Sequence, residues 1–169
     1  MYNPMAGGMG LGVVLNQKLY LGSNGIAGEF YSGVSSLEVI ISKLIKDFPE
    51  EKILIPVSKI SEIQISDLYT YMKRGCGFSL MVLEELSRQV AHEICKINGL
   101  FDPEKIILGG DLSICEDLCC IEILNALKEL LSKYYPFNIK GPLVEYAHHK
   151  IFSAAIGATA LYLAEELAY

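Results

Sequence analysis

The spacing of apolar residues changes along this chain, and each change marks an element. Between Val13 and Tyr20 two short apolar runs flank Asn16-Gln17, which reads as a β-hairpin although the strongest turn pair, Asn-Gly, is absent. From Leu37 the apolar positions Ile40, Ile41, Leu44 and Ile45 fall at helical spacing, with Ser36 or Ser35 placed to cap the helix and Phe48-Pro49-Glu50-Glu51 to break it. Lys52 to Val57, around Pro56, reads as extended, and Ile65 to Arg74 as a short helix ended by Gly75. The clearest helix is Phe78 to Asn98. Leu83, Leu86, Val90, Ile94 and Ile97 form one stripe, Glu84, Glu85, Arg88, Gln89, Glu93 and Lys96 cover the other faces, and Asn98-Gly99 supplies a stop. Asp102-Pro103 turns the chain into a buried strand, Lys105 to Leu108, whose end is opened by Gly109-Gly110. Ile114 to Tyr135 repeats the helical pattern through Leu118, Ile121, Leu124, Leu127 and Leu131, and Pro136 stops it. The last strand falls within Phe137 to Ala147, with Pro142 suggesting an edge or a strand start, and Phe152 to Ala168 is a final helix. Hairpin, helices, strand, helix, strand, helix is an α/β order.

Composition narrows the setting. A chain of 169 residues is one compact domain or one lobe of something larger. Its apolar fraction of 51% and mean hydropathy of +0.34 fit either a membrane protein or a lobe that buries a face against material outside the chain. The longest apolar run near the C-terminus, Phe152 to Ala164, is shorter than the roughly 20 residues a span requires, and the N-terminus lacks the pattern of a signal peptide, so the incomplete lobe is favoured and no membrane partner is expected. The net charge of −6 comes without a basic cluster, which makes the chain a poor nucleic-acid binder by itself. Five cysteines are an odd number. Cys115 and Cys119 lie four residues apart, but no histidine is near in sequence to complete a zinc site, so reduced structural thiols and a cytoplasmic location are expected. His92 lies off the helix stripe, and adjacent His148 and His149 point to opposite faces of an extended chain, so all three read as surface or packing residues.

The richest stretch is Gly8 to Glu29. Gly8, Gly10 and Gly12 alternate, leaving a backbone that a phosphate or another strand can approach closely, and a second glycine-rich loop then delivers one carboxylate, Glu29. The competing reading is a pair of tight turns. The order of the parts resembles the ROK family of bacterial sugar kinases and sugar-responsive transcriptional repressors, whose members typically read G-T-G-I-G-x-G-I-V-I-N-G-K-L-Y-x-G-x-N-G-x-A-G-E-I-G-H. The match runs from Gly8 through Glu29 and stops at Phe30-Tyr31-Ser32, where the family has I-G-H. Leu100 to Gly110 resembles the family's L-L-D-P-E-x-I-V-I-G-G, Ser35 to Ser42 its G-C-L-E-x-x-x-S, and Ser153 to Ala158 its terminal small-residue helix.

This resemblance implies one lobe of the actin-like, ribonuclease-H-like ATPase fold, a mixed sheet with packed helices. Residues 1–169 would be a single lobe matching the C-terminal half of a ROK-type protein, with the N-terminal lobe absent and Met1 an internal position of a longer product. It assigns Glu29 and Asn24 to a sugar site, although a purely structural Glu29 is the alternative. In a kinase-like protein it assigns Gly8, Gly10, Gly12, Gly109 and Gly110 to nucleotide phosphates, with ATP and Mg as cofactors only in that case. Three departures qualify it. Gly7 stands where the phosphate-loop Thr is expected and Ala6 where the leading Gly is; losing that hydroxyl removes a hydrogen bond worth about 1 kcal/mol. The family's zinc motif, C-x-C-G-x-x-G-C with a nearby His, is shortened here, with Ser32 at the His position and Ser36 at the last Cys position, so zinc is expected to be absent. The catalytic Asp of a kinase lies in the other lobe, so no catalytic residue is assigned. Three functions remain open: the sugar-sensing lobe of a ROK-type regulator, reaching DNA only through an upstream winged helix; the C-terminal lobe of an ATP-dependent, glucokinase-like sugar kinase, inactive without its N-terminal lobe; and a degenerate scaffold. The expected partners are a small sugar and either the missing lobe or a second copy in a dimer or other homo-oligomer.

Overall fold

The computed structural model describes residues 9–49, 57–115, 117–135 and 140–149, together with the single positions 152, 156 and 160. The chain opens with the hairpin β1 (Val13–Leu15) and β2 (Lys18–Tyr20), paired antiparallel with Val13 opposite Tyr20. Asn16 and Gln17 have φ of 52° and 66°, so both central residues are left-handed, as a type I′ turn requires. The expected hairpin therefore forms without the glycine that usually supplies that geometry.

Four helical spans follow among the described residues. Helix α1 (Leu37–Asp47) is capped by Ser36, whose hydroxyl accepts from the Val39 amide. A 3-10 turn spans Val57–Glu62, and α2 (Ile65–Lys73) starts at Gln64 with Asp67 Oδ2 accepting the Gln64 amide at 3.0 Å. Central helix α3 (Gly77–Phe101) runs past the expected stop at Asn98-Gly99. Gly99 continues the helix and faces the Tyr135 hydroxyl with no room for a Cβ, and the helix ends where Asp102 turns left-handed at φ 42°. The expected helix from Ile114 is likewise corrected at its start. Gly110–Cys115 is a 3-10 turn, and α4 begins at Asp117 and ends at Tyr134. The expected extended stretch at Lys52 to Val57 and the final helix at Phe152 to Ala168 lie largely outside the described residues.

Strands β3 (Lys105–Leu108) and β4 (Leu143–Tyr146) pair in parallel, Ile106 against Val144 and Leu108 against Tyr146. The described strands thus form two small sheets, one antiparallel and one parallel. Helix α3 packs on α1, α2 and α4, and supplies Phe78, Val82, Leu83, Leu86, Val90 and Ile94 to a core completed by Leu37, Ile41, Leu68, Ile123 and Leu127. Each such side chain contributes about 1.5–3 kcal/mol by leaving water. The expectation of a buried strand holds only at Leu108: the other face of the parallel pair is open, with Ile107 and Leu143 62% and 53% exposed and Lys105 paired with Glu145 at 2.9 Å. Among the described residues no helix is long and apolar enough to cross a membrane.

Leu86→Ala removes a fully buried side chain from the helix that packs on α1, α2 and α4, so urea denaturation should show a loss of about 2–5 kcal/mol. Ile121→Ala, at a half-exposed position on α4, should stay within about 0.5 kcal/mol of the parent.

Candidate functional site

The two glycine-rich segments meet through their backbones. After β2 the chain turns at Gly22, Gly25 and Gly28, all at positive φ, and closes when the Ala27 amide donates to the Leu21 carbonyl at 3.0 Å. The Leu11 amide then donates to the Gly28 carbonyl at 3.2 Å, and a Cβ on Gly28 would overlap the Leu11 carbonyl oxygen. Only glycine meets both demands, a φ of 97° and no side chain. Leu11 lies between Gly10 and Gly12, and Gly28 precedes Glu29, so this contact brings the predicted phosphate loop beside the predicted sugar carboxylate. Glu29, Asn24, Gly10 and Gly12 are all exposed. Gly8, the remaining member of that loop, lies outside the described residues.

Gly109 and Gly110 sit at the carboxyl end of β3, on the other sheet. Gly110 is buried with φ 69° and turns the strand into the 3-10 segment, and Ser113 Oγ donates back to its carbonyl. A Cβ added at Gly109 would lie 3.8 Å from Ala147 Cβ, an ordinary contact, so the packing there leaves room for a side chain. Gly110 thus has a structural role whatever else it touches.

Beyond Glu29 the loop to α1 is fixed by side chains. The Met9 amide donates to Ser32 Oγ at 3.2 Å, the Gly33 amide to Glu93 Oε1 at 3.0 Å, and the Ser35 amide to Gln89 Oε1 at 2.7 Å. Glu93 is 3% exposed and also receives Lys96 Nζ at 2.8 Å. Gln89 Nε2 donates to Glu85 Oε1 at 2.8 Å, and Arg88 forks onto both Glu85 oxygens at 2.8 and 2.9 Å. Burial alone would raise the Glu85 carboxyl, but hydrogen bonds from Arg88 and Gln89, with the charges of Arg88 and Lys43, outweigh it and hold Glu85 below its ordinary value. His92 Nε2 lies 3.5 Å from Arg88 on the same face. These α3 residues were legible only as polar coverage. The missed signal was the four-residue ladder Glu85, Gln89, Glu93, which puts three acceptors on one side of a helix.

The zinc that the family resemblance implies does not fit this loop. Ser32 and Ser36 offer hydroxyls already engaged by the Met9 and Val39 amides, and zinc is held by thiolate, imidazole or carboxylate donors. Among the described residues no group of three or more His, Cys, Asp or Glu side chains is placed to hold a metal. None of the five cysteines forms a disulfide. Cys120 is tied into the fold, its amide donating to the Tyr146 hydroxyl at 2.8 Å. The thiol of Cys115 is pushed up by the neighbouring thiol of Cys119 and by burial. His148 and His149 lie in a turn and not on an extended chain, so their exposed rings meet edge to face at 6.1 Å instead of pointing to opposite faces as expected. An open groove of about 480 Å³ between α1, α3 and α4 is lined by Met81, Glu84, Glu85, Arg88, Glu122 and Glu129 among others, and by none of the residues predicted for sugar or phosphate.

The α/β architecture is that of the actin-like ATPase fold. The ROK family profile matches residues 37–165, and the chain belongs to the ROK family. It is similar to the xylose repressor of Caldicellulosiruptor bescii, with 21% identity over 186 aligned positions that cover 96% of this chain and 45% of the repressor. Among solved structures it is similar to a ROK family glucokinase from Streptomyces griseus in complex with glucose and AMPPNP, with a TM-score of 0.76, 20% identity, and coverage of 91% of this chain and 57% of the glucokinase. It is also similar to a ROK family transcriptional regulator described as a homologue of the E. coli MLC protein, with a TM-score of 0.59, 25% identity, and coverage of 92% of this chain and 44% of the regulator. The chain spans about half the length of these relatives.

Gly28→Ala should cost at least about 2 kcal/mol in urea denaturation and abolish hydrogen-exchange protection at the Leu11 amide, because φ and space both exclude a Cβ. Gly25→Ala, at φ 72° with open space around it, should cost only about 1 kcal/mol. A second outcome concerns acid. Since the folded-state value of Glu85 is depressed, its stabilising contribution is complete above the unfolded-state value and is lost as pH falls through the folded one. The melting temperature of Glu85→Gln should therefore fall less steeply than that of the parent below about pH 4.5.

Proposed function

We propose that this chain is the sugar-binding, C-terminal lobe of a ROK-type transcriptional regulator, in which Glu29 and Asn24 contact a small carbohydrate and the bound state is relayed to a winged helix outside these residues. The observation that carries the reading is the exposed carboxylate of Glu29 beside the Leu11–Gly28 junction. A carboxylate accepts from two hydroxyls at once, which suits a polyol, and such charge-assisted bonds are the stronger ones. The match to a repressor over nearly the whole chain supports the regulator reading. So does the loss of the phosphate-loop hydroxyl at Gly7, which a sensor tolerates and a kinase does not.

A kinase lobe is the second reading. The exposed Gly10 and Gly12 favour it, since a backbone without side chains lets a nucleotide phosphate approach closely. Phosphoryl transfer needs positioning and charge stabilisation from both walls of a cleft. ATP and Mg belong to this reading alone.

Calorimetric titration with D-xylose and D-glucose tests the site. At least one sugar should bind, and Glu29→Gln should weaken it about 10- to 100-fold, the cost of losing a charged acceptor. Equal affinity in parent and variant would remove Glu29 from the site. The same preparation should show no ATP-dependent phosphorylation of either sugar. A helix-turn-helix coding segment upstream of Met1 supports the regulator; an Asp-x-Gly-x-T phosphate loop there without one replaces it with the kinase.

A further inference from the structure

We propose that Gln89 and Glu93 of α3 are positioning residues for the sugar site: they hold the loop following Glu29 by side-chain acceptors, so that carbohydrate recognition in this chain is independent of a metal ion. The inference rests on the sugar-binding reading of Glu29, but the clamp itself is visible without it. Residues 30–36 form no helix or strand, so their amides need partners from elsewhere. Two of those amides, Gly33 and Ser35, donate to Glu93 and Gln89 at 3.0 and 2.7 Å.

Each acceptor is itself held in place. The Glu93 oxygen that accepts from Gly33 also receives Lys96, and Gln89 is oriented through its amide nitrogen by Glu85, which is gripped in turn by Arg88. A side chain locked this way loses little further freedom when the loop docks on it. The approach at Gly33 is close: a Cβ there would come within 2.8 Å of Glu93 Oε1. The loop's ends are tied by Ser32 to Met9 and by Ser36 to the first turn of α1. The acceptors gathered on this loop are two hydroxyls, one amide oxygen and one carboxylate, a set that suits backbone amides and does not suit zinc. The polar ladder of α3 therefore does the work of a metal staple, and the direction of Glu29 depends on a helix more than fifty residues away in sequence.

Amide exchange followed by NMR on the 169-residue chain, beside calorimetric titration of D-xylose and D-glucose with and without EDTA, tests this. In the parent the Gly33 and Ser35 amides should be protected and EDTA should leave affinity unchanged. Gln89→Ala should speed exchange at Ser35 and Glu93→Ala at Gly33, each by about tenfold, and each should weaken sugar binding about five- to tenfold. Glu93→Gln keeps an acceptor oxygen and should recover most of both losses relative to Glu93→Ala, which a general loss of stability would not produce. If Glu93→Ala does not fold, Gln89→Ala and Glu93→Gln decide the matter through the same two readouts. Unprotected amides in the parent, alanine variants with parental affinity, or affinity lost to EDTA would overturn the clamp. If neither sugar binds the parent, the reading of Glu29 fails separately, and protection at Gly33 and Ser35 still decides whether α3 holds the loop.

Discussion

The contact between the Leu11 amide and the Gly28 carbonyl is the constraint on which the rest of the site depends. One hydrogen bond of this kind contributes only about 1 kcal/mol, too little to hold a loop by itself. Its force comes from exclusion. Because Gly28 has no side chain, the two backbones close to a distance at which no other residue fits, and neighbouring positions follow. Gly10 and Gly12 lie on one side of this junction and Glu29 on the other. A polyol hydroxyl and a phosphate are both recognised by groups set a few ångströms apart, so a junction made of backbone, which cannot change rotamer, is a suitable foundation for either ligand.

The second constraint is α3, which is buried on more of its circumference than an ordinary surface helix. Leu83, Leu86, Val90 and Ile94 face the core, while Glu85, Gln89 and Glu93 rise in four-residue steps along a different line. The two rows differ in size of effect. Burial of the apolar row supplies several kcal/mol and decides that the helix exists where it does. The polar row supplies a few hydrogen bonds, each of small net worth, and decides where a loop from a distant part of the sequence comes to rest. Stability and placement are thus carried by different faces of one element.

What the sequence made legible divides along the same line. Helical spacing located the four described helices, because burial of an apolar face is a local pattern repeated many times, and the Asp102-Pro103 turn with the Gly109-Gly110 pair bounded the strand at Lys105 to Leu108. The hairpin at Asn16-Gln17 was readable from its flanking runs even with a weak turn pair. Ends were less legible. Gly99 looked like a stop, yet the Tyr135 hydroxyl facing it gives a helical glycine a packing reason that no local rule contains. The 3-10 turn before α4 was missed because Leu112 and Cys115 are buried as a continuing helix would bury them. The approach of Glu29 to the first glycine loop was suggested only by family resemblance, and the links from Gly33 and Ser35 to α3 not at all. Those links span 60 and 54 residues, and a polar side chain at helical spacing looks the same whether it meets water or a loop.

Glu93 shows why such a link is better understood as placement than as stabilisation. Its side chain is 5% exposed while its partner Lys96 is 65% exposed, so the pair has one end in the protein and the other in water. Burying a carboxylate costs several kcal/mol before any partner is counted, and a half-solvated lysine returns only part of that. The Gly33 amide returns more, since a backbone donor aimed at a carboxylate is a charge-assisted bond in a place where water competes poorly. The sum is close to balance, and an apolar residue at position 93 would serve the core at least as well. What an apolar residue lacks is a preferred position for the loop. A carboxylate that must find a donor admits one arrangement of Gly33 and rejects its neighbours. That selectivity makes a buried acid on α3 useful to a site built on Glu29, where direction matters more than strength.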